Sequence, residues 1–222
     1  MRFLPLGERP THKQQIINEV QVHAEFEPGS VPPPDISIAT SGTDVEHHNL
    51  RLKQYTKVIP IKQSAKGIKI TEGKVAGGKE FLMTTRMPAK QYTLGVLYRD
   101  NAEMTWFKPK LMVLPEDLSS FPLGKARFVN TSPYEVAVKL GTAQAFAVPP
   151  GKTVYKTLKV GETMASIAVK NAAGAYKKIL NNNISMRPKQ RVQAFFYKAQ
   201  GKNPKAPIKF FIKPESYQSP AG

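Results

Sequence analysis

The feature that most constrains the fold is an internal repeat. Residues 87–117 match residues 186–216 at a constant offset of 99, without gaps. The seven identical pairs are Met87/Met186, Lys90/Lys189, Gln91/Gln190, Tyr98/Tyr197, Lys110/Lys209, Pro115/Pro214 and Glu116/Glu215. Apolar runs also coincide between these pairs. Because two copies are too few to stack as a solenoid, the repeat predicts two tandem domains.

Prolines and glycines indicate the domain limits. Each copy ends in an apolar run closed by Pro-Glu, and proline cannot donate to a strand ladder. The segment 117–124 that follows the first copy is rich in turn-forming residues. We therefore predict an N-terminal tail over residues 1–15, a first domain over 16–117 and a second domain over 125–217.

The apolar pattern along both copies has a period of two. Val20 and Val22 alternate with polar residues in the first copy, and in the second copy Val136, Val138 and Leu140 alternate with the smaller or charged Ala137 and Lys139. Such alternation is typical of strands with one buried face, and turn signals separate the runs at short spacing. The best helical segment, 12–18, is short. These patterns predict an all-β protein of two tandem immunoglobulin-like β-sandwich domains.

The charge is large and unevenly distributed. The formal net charge is +17. Residues 1–50 carry 3 basic and 7 acidic side chains, whereas residues 51–222 carry 30 basic and 9 acidic. This asymmetry favours an anionic partner, such as an acidic glycan, lipid head groups or nucleic acid. A solubilising charge with no partner is the alternative.

Seven lysines of the second copy are the candidate anion contacts. They are Lys177, Lys178, Lys198, Lys202, Lys205, Lys209 and Lys213. Aromatic residues lie between several of them around the last predicted hairpin, which is a pattern that single-stranded nucleic acid can use. However, Val96 and Leu97 occupy the equivalent positions of two of these rings in the first copy. Core packing is therefore the favoured role of the rings, and lysines on an edge strand also oppose aggregation.

The sequence lacks the residues or motifs that several kinds of catalytic and metal-binding site require. The chain has no cysteine, which excludes disulfides, thiolate metal sites and cysteine nucleophiles. All four histidines precede residue 49, no Gly-x-Ser-x-Gly motif occurs, and acidic residues are few in the second copy. His47 and His48 are adjacent on a predicted strand, so they point to opposite faces and do not chelate one ion. We predict no enzymatic activity, no metal and no cofactor.

Two short motifs carry little functional weight. Lys152 ends a Pro-Pro-Gly-Lys-Thr segment that resembles the end of a phosphate loop, but Phe146 stands where the first glycine is required. We interpret this segment as a β-turn. Asn130 and Asn183 begin matches to the glycosylation pattern, and three-residue matches are common by chance.

No segment has the apolar length of a membrane-spanning helix, and the first ten residues lack an apolar signal core. We expect that a signal peptide, removed on export, preceded Met1. The expected location is therefore outside the cytoplasm, in the periplasm, on the outer surface or secreted.

A motif at the start of the second copy resembles a known group of proteins. The segment 125–133 has the form basic-x-Arg-Phe-Val-Asn-x-Ser-Pro, and a strand at 136–138 and a Pro-Pro-Gly turn at 149–151 follow it. This arrangement resembles that of uncharacterised exported bacterial envelope proteins with immunoglobulin-like domains. The resemblance implies an extracytoplasmic β-sandwich protein, similar in outline to some pilus-associated and surface proteins. It implies no catalytic residues.

The leading hypothesis is therefore a non-enzymatic bacterial envelope protein that scaffolds a surface or adhesive assembly, or contacts an anionic glycan or lipid surface. Its partners would be other proteins or anionic glycan or lipid surfaces. Self-association into an oligomer is compatible with either kind of partner. The alternative is a nucleic-acid-binding or capsid-like protein. A third class, a glycan-active enzyme, requires a pair of carboxylates facing one cleft.

Overall fold

The structure is a computed structural model that describes residues 1–10, 14–17, 20–23, 26–41, 44–61, 68–73, 80–84, 92–201 and 204–216. All regular elements within these ranges are β-strands, as predicted. Accordingly, this part of the chain offers no helix suited to crossing a membrane. The chain divides into two units, which we call unit 1 (Met1–Pro115) and unit 2 (Glu116–Gly222).

Unit 1 contains one three-stranded sheet, one four-stranded sheet and a separate hairpin. Its described strands are β1 (Arg2–Leu6), β2 (Gln14–Ile17), β3 (Val20–His23), β4 (Asp35–Ser41), β5 (Asp44–Asn49), β6 (Ile68–Glu72), β7 (Glu80–Thr84), β8 (Thr93–Tyr98) and β9 (Lys110–Pro115). The sheet orders are β1-β8-β9 and β5-β4-β6-β7, and β2 pairs with β3. Alternating residues such as Ile36 and Ile38 point into a core that also contains Phe3, Leu97 and Trp106.

The predicted tail over residues 1–15 is wrong for its first part. β1 pairs in parallel with β8, and Phe3 and Leu4 are both fully buried. The strand escaped prediction because both of its faces are covered, so its five residues show no apolar–polar alternation. Gln14–Ile17, at the end of the same predicted tail, forms the first strand of the hairpin.

Unit 2 consists of two four-stranded sheets around one core. Its strands are β10 (Lys125–Asn130), β11 (Val136–Leu140), β12 (Phe146–Val148), β13 (Thr153–Thr157), β14 (Gly161–Lys170), β15 (Tyr176–Met186), β16 (Gln190–Lys198) and β17 (Ile208–Ser216). The sheet orders are β13-β10-β16-β17 and β12-β11-β14-β15. Phe128 and Phe196 from the first sheet and Val138 and Ile167 from the second share the core. The alternation of apolar and polar residues along these strands therefore determines which face of each strand is buried.

The same strand register recurs in the two units. Tyr98 pairs with Lys110 in β8–β9, and Tyr197 pairs with Lys209 in β16–β17. Each cross-strand pair of the β8–β9 ladder falls on a pair of the β16–β17 ladder when 99 is added to both numbers. The offset found in the sequence is thus also the offset of the hydrogen-bonded register.

The correspondence extends to elements that the sequence comparison did not reach. β1 and β10 both pair in parallel with the strand beside them, placing Phe3 opposite Gly95 and Phe128 opposite Ala194. In the other sheets, β6–β7 shifts register after Ile70, and β14–β15 shifts at the corresponding position. Equivalent strands therefore occur in the same order and with the same irregularity.

The strand order corrects the prediction of immunoglobulin-like topology. In the immunoglobulin fold the second and third strands lie in different sheets. In unit 2 the second and third strands, β11 and β12, form an antiparallel hairpin within one sheet. The short turn between them includes Gly141 in a left-handed conformation, at a φ of 54°, and so tight a connection keeps both strands in the same sheet.

The segment 117–124, predicted to connect two domains, is folded onto unit 2. It is turn-rich as expected, and the Asp117 carboxylate accepts a hydrogen bond from the Ser120 amide at 2.9 Å. Phe121 is fully buried, and the guanidinium carbons of Arg127 and Arg191 lie 4.3 and 4.6 Å from its ring centroid. The second unit therefore begins before the predicted start at residue 125.

A buried polar network fixes this segment in place. The Arg127 guanidinium donates to the Glu116 carboxylate at 3.1 Å and to the Gln193 side-chain oxygen at 2.6 Å. Arg191 donates to the Glu116 carbonyl at 2.8 Å and to the Glu215 carboxylate at 3.2 Å. Since charged groups are stable in an interior only when paired, these contacts determine how the start of unit 2 folds.

Candidate functional site

The candidate site lies on the outer face of the sheet β12-β11-β14-β15. Val136 and Val138 of β11 point into the core, so Ala137 and Lys139 point outward. The register places Ala147 and Ala168 on either side of Ala137, with Lys178 beyond Ala168. Three alanines in a row across three strands lower the sheet surface at this point.

A cavity of about 440 Å³ lies over these alanines. Lys139 and Ser166 border it on one side, and Tyr176 and Lys178 also line it. We call this depression, floored by Ala137, Ala147 and Ala168, the alanine trough. It is an open groove with a small-residue floor, an aromatic ring and cationic groups.

Tyr176 is held in place by a pair of charged neighbours. Its hydroxyl donates a hydrogen bond to the Glu135 carboxylate, and the Lys170 ammonium lies 3.2 Å from the same carboxylate. The bond from Tyr176, and then that from Lys170, hold the pKa of Glu135 below its ordinary value. The same contact raises the pKa of Tyr176, which favours the protonated phenol. Tyr176 is also 46% exposed, so its ring is accessible from the trough.

Two lysines of the trough supply positive charge. Lys139 and Lys178 line it, both are exposed, and neither ammonium group forms an ion pair or hydrogen bond with another described residue. Lys177 is also exposed, but it pairs with Val169, whose side chain is in the core, so it points away from the face that carries the trough. The ammonium groups of Lys139 and Lys178 are therefore available to an anion at the sheet surface.

The equivalent face of unit 1 is built differently. Ser37 pairs with His47 on one side and with Thr71 on the other, which are the positions of the three alanines in unit 2. Ser37 and Thr71 are buried, and the Ser37 hydroxyl is 2.9 Å from His47 Nδ1. Because larger polar residues fit this row in unit 1, the sheet itself does not require alanine.

The predicted lysine set divides into two groups. Lys177 and Lys178 begin β15, in the sheet that carries the trough. Lys198 ends β16 and Lys209 lies near the start of β17, so these two lie at the turn end of the last hairpin. Lys205 is in the connecting segment, Lys213 is farther along β17, and Lys202 lies outside the described residues.

The aromatic rings of the last hairpin pack inside the protein. Phe195 and Phe196 are fully buried and Tyr197 is 4% exposed. Phe196 stacks on Phe210 with centroids 5.0 Å apart. The prediction of core packing is confirmed for Phe195, Phe196 and Tyr197, whereas Phe210 and Phe211 are half-buried.

His47, His48 and the Pro-Pro-Gly-Lys-Thr segment that ends in Thr153 have structural roles. His47 contacts Ser37, and His48 Nε2 lies 3.1 Å from the Glu46 carboxylate. The described ranges contain no group of side chains suited to hold a metal ion. The Lys152 amide donates to the Pro149 carbonyl at 3.1 Å, which closes the predicted β-turn.

The two glycosylation-pattern asparagines differ in environment. Asn130 is fully buried, and its amide group donates to the Tyr134 and Val148 carbonyls at 2.7 and 2.8 Å. Its side-chain oxygen accepts from Ser132. Asn130 therefore shapes the chain after β10 and is inaccessible in the folded unit, whereas Asn183 is exposed.

The sequence did not indicate the trough, although it indicated one of its lysines, Lys178. Alanine has no distinctive sequence signal, and the row forms only because the register aligns residues of separate strands. A search for small residues at outward positions of adjacent predicted strands would have required the strand order in advance.

Comparison with known proteins gives no relative. No protein-family model matches the chain, and no curated protein is significantly similar to it in sequence.

Proposed function

We propose that this chain is a non-enzymatic binding protein composed of two copies of one β-sandwich module, and that the alanine trough of unit 2 binds an anionic glycan. The observation that carries this proposal is the combination of two lysines whose ammonium groups are unpaired, Lys139 and Lys178, with an open, small-residue groove. We also propose that the protein acts at the bacterial envelope, outside the cytoplasm, as the motif at residues 125–133 suggests by resemblance.

The duplicated module is supported by register as well as by sequence. The β8–β9 and β16–β17 ladders share the same offset, and the parallel first strand and the register shift occur in both units. A duplicated scaffold lets one copy change its surface while the fold is retained. The row that is Ala137, Ala147 and Ala168 in unit 2 differs in this way from its counterpart in unit 1.

The chemistry of the trough suits a chain of acidic sugars. A sugar ring is broad and flat, so it can lie on a floor of methyl groups and against the exposed ring of Tyr176. Carboxylate or sulfate groups on the sugar would then face Lys139 and Lys178. An exposed ion pair contributes only about 0.2–1 kcal/mol to the free energy of binding. Binding therefore depends on several such contacts along the polysaccharide.

Nucleic acid is the competing polyanion. Phe195, Phe196 and Tyr197 are buried, and the half-buried Phe210 stacks on Phe196, which argues against the stacking platform expected of a single-strand binder. Binding to nucleic acid would also weaken steeply with salt, because each neutralised phosphate releases counterions. Flat affinity for single-stranded DNA across salt concentrations, or no binding at low salt, would therefore remove this alternative.

The test is binding to polygalacturonate, with neutral dextran as the control glycan. We expect the wild-type chain to bind polygalacturonate and not dextran. The variant K139Q/K178Q should bind about tenfold more weakly. A matched control, K57Q/K69Q, removes two exposed lysines of unit 1 and should retain the wild-type affinity.

A second variant tests the groove separately from its charge. A147H/A168T introduces the residues that unit 1 carries at the same positions, His47 and Thr71. We expect it to fold and to lose binding, because the groove is filled. Equal losses in the two lysine variants, or unchanged binding by A147H/A168T, would contradict the proposed site.

A further inference from the structure

A second cavity lies in unit 1, at one end of its core. Its volume is about 170 Å³, and the core residues Phe81 and Trp106 line it together with Phe26 and Phe107. We call it the aromatic cavity. Four aromatic side chains around so small a space form an environment with several electron-rich ring faces.

Two loops form the wall of this cavity and hold each other. The Trp106 amide donates to the Gly29 carbonyl at 2.7 Å. Gly29 has a φ of 75°, and a Cβ at this position would lie 2.8 Å from the Phe107 ring. Phe107 therefore rests directly on the Gly29 backbone, and the prolines at positions 32–34 stiffen the rest of the loop.

Trp106, which lines the cavity, carries a buried indole N–H donor that has no partner among the described residues. Trp106 is 2% exposed, and its Nε1 makes no hydrogen bond within the described part of the chain. A buried indole N–H is normally paired, because leaving it unsatisfied is costly. A ligand oxygen placed in the cavity would accept this hydrogen bond.

The charged groups on the cavity lining are acidic. Glu27 and Glu72 line it, and both are exposed. The Arg9 guanidinium lies over the Phe26 ring, 5.4 Å from its centroid, and the charged residues on the lining itself are the two glutamates. This local charge has the opposite sign to that around the alanine trough, and it agrees with the acidic balance of residues 1–50.

We infer that the aromatic cavity binds a small alkylammonium ion that carries an oxygen atom, of the choline or ethanolamine type. Ring faces attract a cation that has lost part of its water, and the carboxylates of Glu27 and Glu72 add to this attraction. The ligand oxygen would accept from Trp106 Nε1. A metal ion fits less well, since the lining gives it aromatic carbon in place of the oxygen ligands that hard cations require. This site is independent of the glycan-binding proposal.

The experiment uses the fluorescence of Trp106, which is the single tryptophan of the chain. The full chain is titrated with choline and, separately, with 3,3-dimethylbutan-1-ol, the neutral carbon isostere of choline. We expect a saturable change with choline and at least about tenfold weaker binding of the isostere, because the cation–aromatic attraction is absent. Equal binding of the two compounds, or no saturable change with choline, would overturn the inference.

Variants then test the carboxylate and the ring. E72Q should weaken choline binding about threefold or more, and F107L should weaken it further while leaving the fold intact, since Phe107 is 47% exposed. The matched control is E103Q, which removes an exposed carboxylate of unit 1 that is outside the cavity lining. A loss with E103Q as large as that with E72Q would show that general charge, and not the cavity, determines binding.

Discussion

Arg127 and Glu116 form a buried ion pair, with Arg127 Nη2 3.1 Å from Glu116 Oε1 and both side chains almost fully enclosed. Gln193 donates to the same oxygen at 2.9 Å, and Arg191 lies 3.7 Å from it. Glu116 is thus the acceptor on which the network converges. The network joins residues far apart in sequence and holds the segment 117–124 over the sheet.

Removing the charge of Glu116 should strongly destabilise unit 2. E116Q leaves the two guanidinium groups without their shared carboxylate, which costs about 3 kcal/mol of the free energy of unfolding. Urea denaturation followed by circular dichroism measures this loss. The control is K110Q, which breaks the exposed Lys110–Asp100 pair and should cost less than about 1 kcal/mol. Equal effects of the two changes would show that the buried network contributes little.

Asn130 should be required for the folding of unit 2. N130A removes the donor to the Tyr134 and Val148 carbonyls and leaves these buried groups unpaired. We expect a loss of about 2–3 kcal/mol in the free energy of unfolding. The exposed Asn183 gives the comparison, since N183A should change stability by no more than about 0.5 kcal/mol. A neutral effect of N130A in urea denaturation would contradict the assigned role.

Gly95 should not accept even one additional methyl group. A Cβ at this position would lie 2.7 Å from the Phe3 ring, which is fixed in the core. G95A should therefore destabilise unit 1 by about 1–3 kcal/mol. The equivalent position in unit 2 is Ala194, opposite Phe128, so the same methyl group is already accommodated there. Denaturation followed by Trp106 fluorescence reports on unit 1, and an unchanged midpoint would contradict this expectation.

The contact between Tyr176 and Glu135 should appear in the pH dependence. The lowered pKa of Glu135 means that its contribution to stability is present above the ordinary carboxyl pKa of about 4.3 and is lost as the pH falls through the folded-state value. The raised pKa of Tyr176 acts at the other end, and its contribution is lost as the pH rises through the folded-state value.

Y176F tests this linkage directly. Without the hydroxyl donor, the pKa of Glu135 should rise toward its ordinary value, although Lys170 still holds part of the shift. An NMR titration of the glutamate side-chain carboxyl carbons measures the change, with the exposed Glu162 as the internal reference. An unaltered Glu135 titration in Y176F would exclude the hydrogen bond as the main cause.

The sequence predicted the parts of this structure that depend on local pattern. Alternation at Val136 and Val138 identified a half-buried strand, and the offset of 99 identified the segments that form β8–β9 and β16–β17 as equivalent. β1 was missed because a short strand covered on both faces has no alternation. The immunoglobulin strand order failed because strand pairing depends on turn geometry, such as that at Gly141, which composition does not determine.

The candidate site was predictable only in its charge. Lys177 and Lys178 were named from the local excess of lysine, and the structure places Lys178 in the lining of the alanine trough, whereas Lys177 points to the other face of the sheet. The floor of the trough is assembled from three strands and has no signature in any one of them. The buried polar network was not predicted for a similar reason, because Glu116 and Gln193 are far apart in the sequence and come into contact only in the folded chain.

The parallel pairing of the first strand also affects how the chain must fold. β1 joins β8, and β10 joins β16, so each ladder links segments separated by most of a unit. Closing such large loops is entropically costly and makes folding slow. During synthesis the opening strand of each unit leaves the ribosome well before its neighbour exists, and the last hairpin is the element whose arrival completes the sheet.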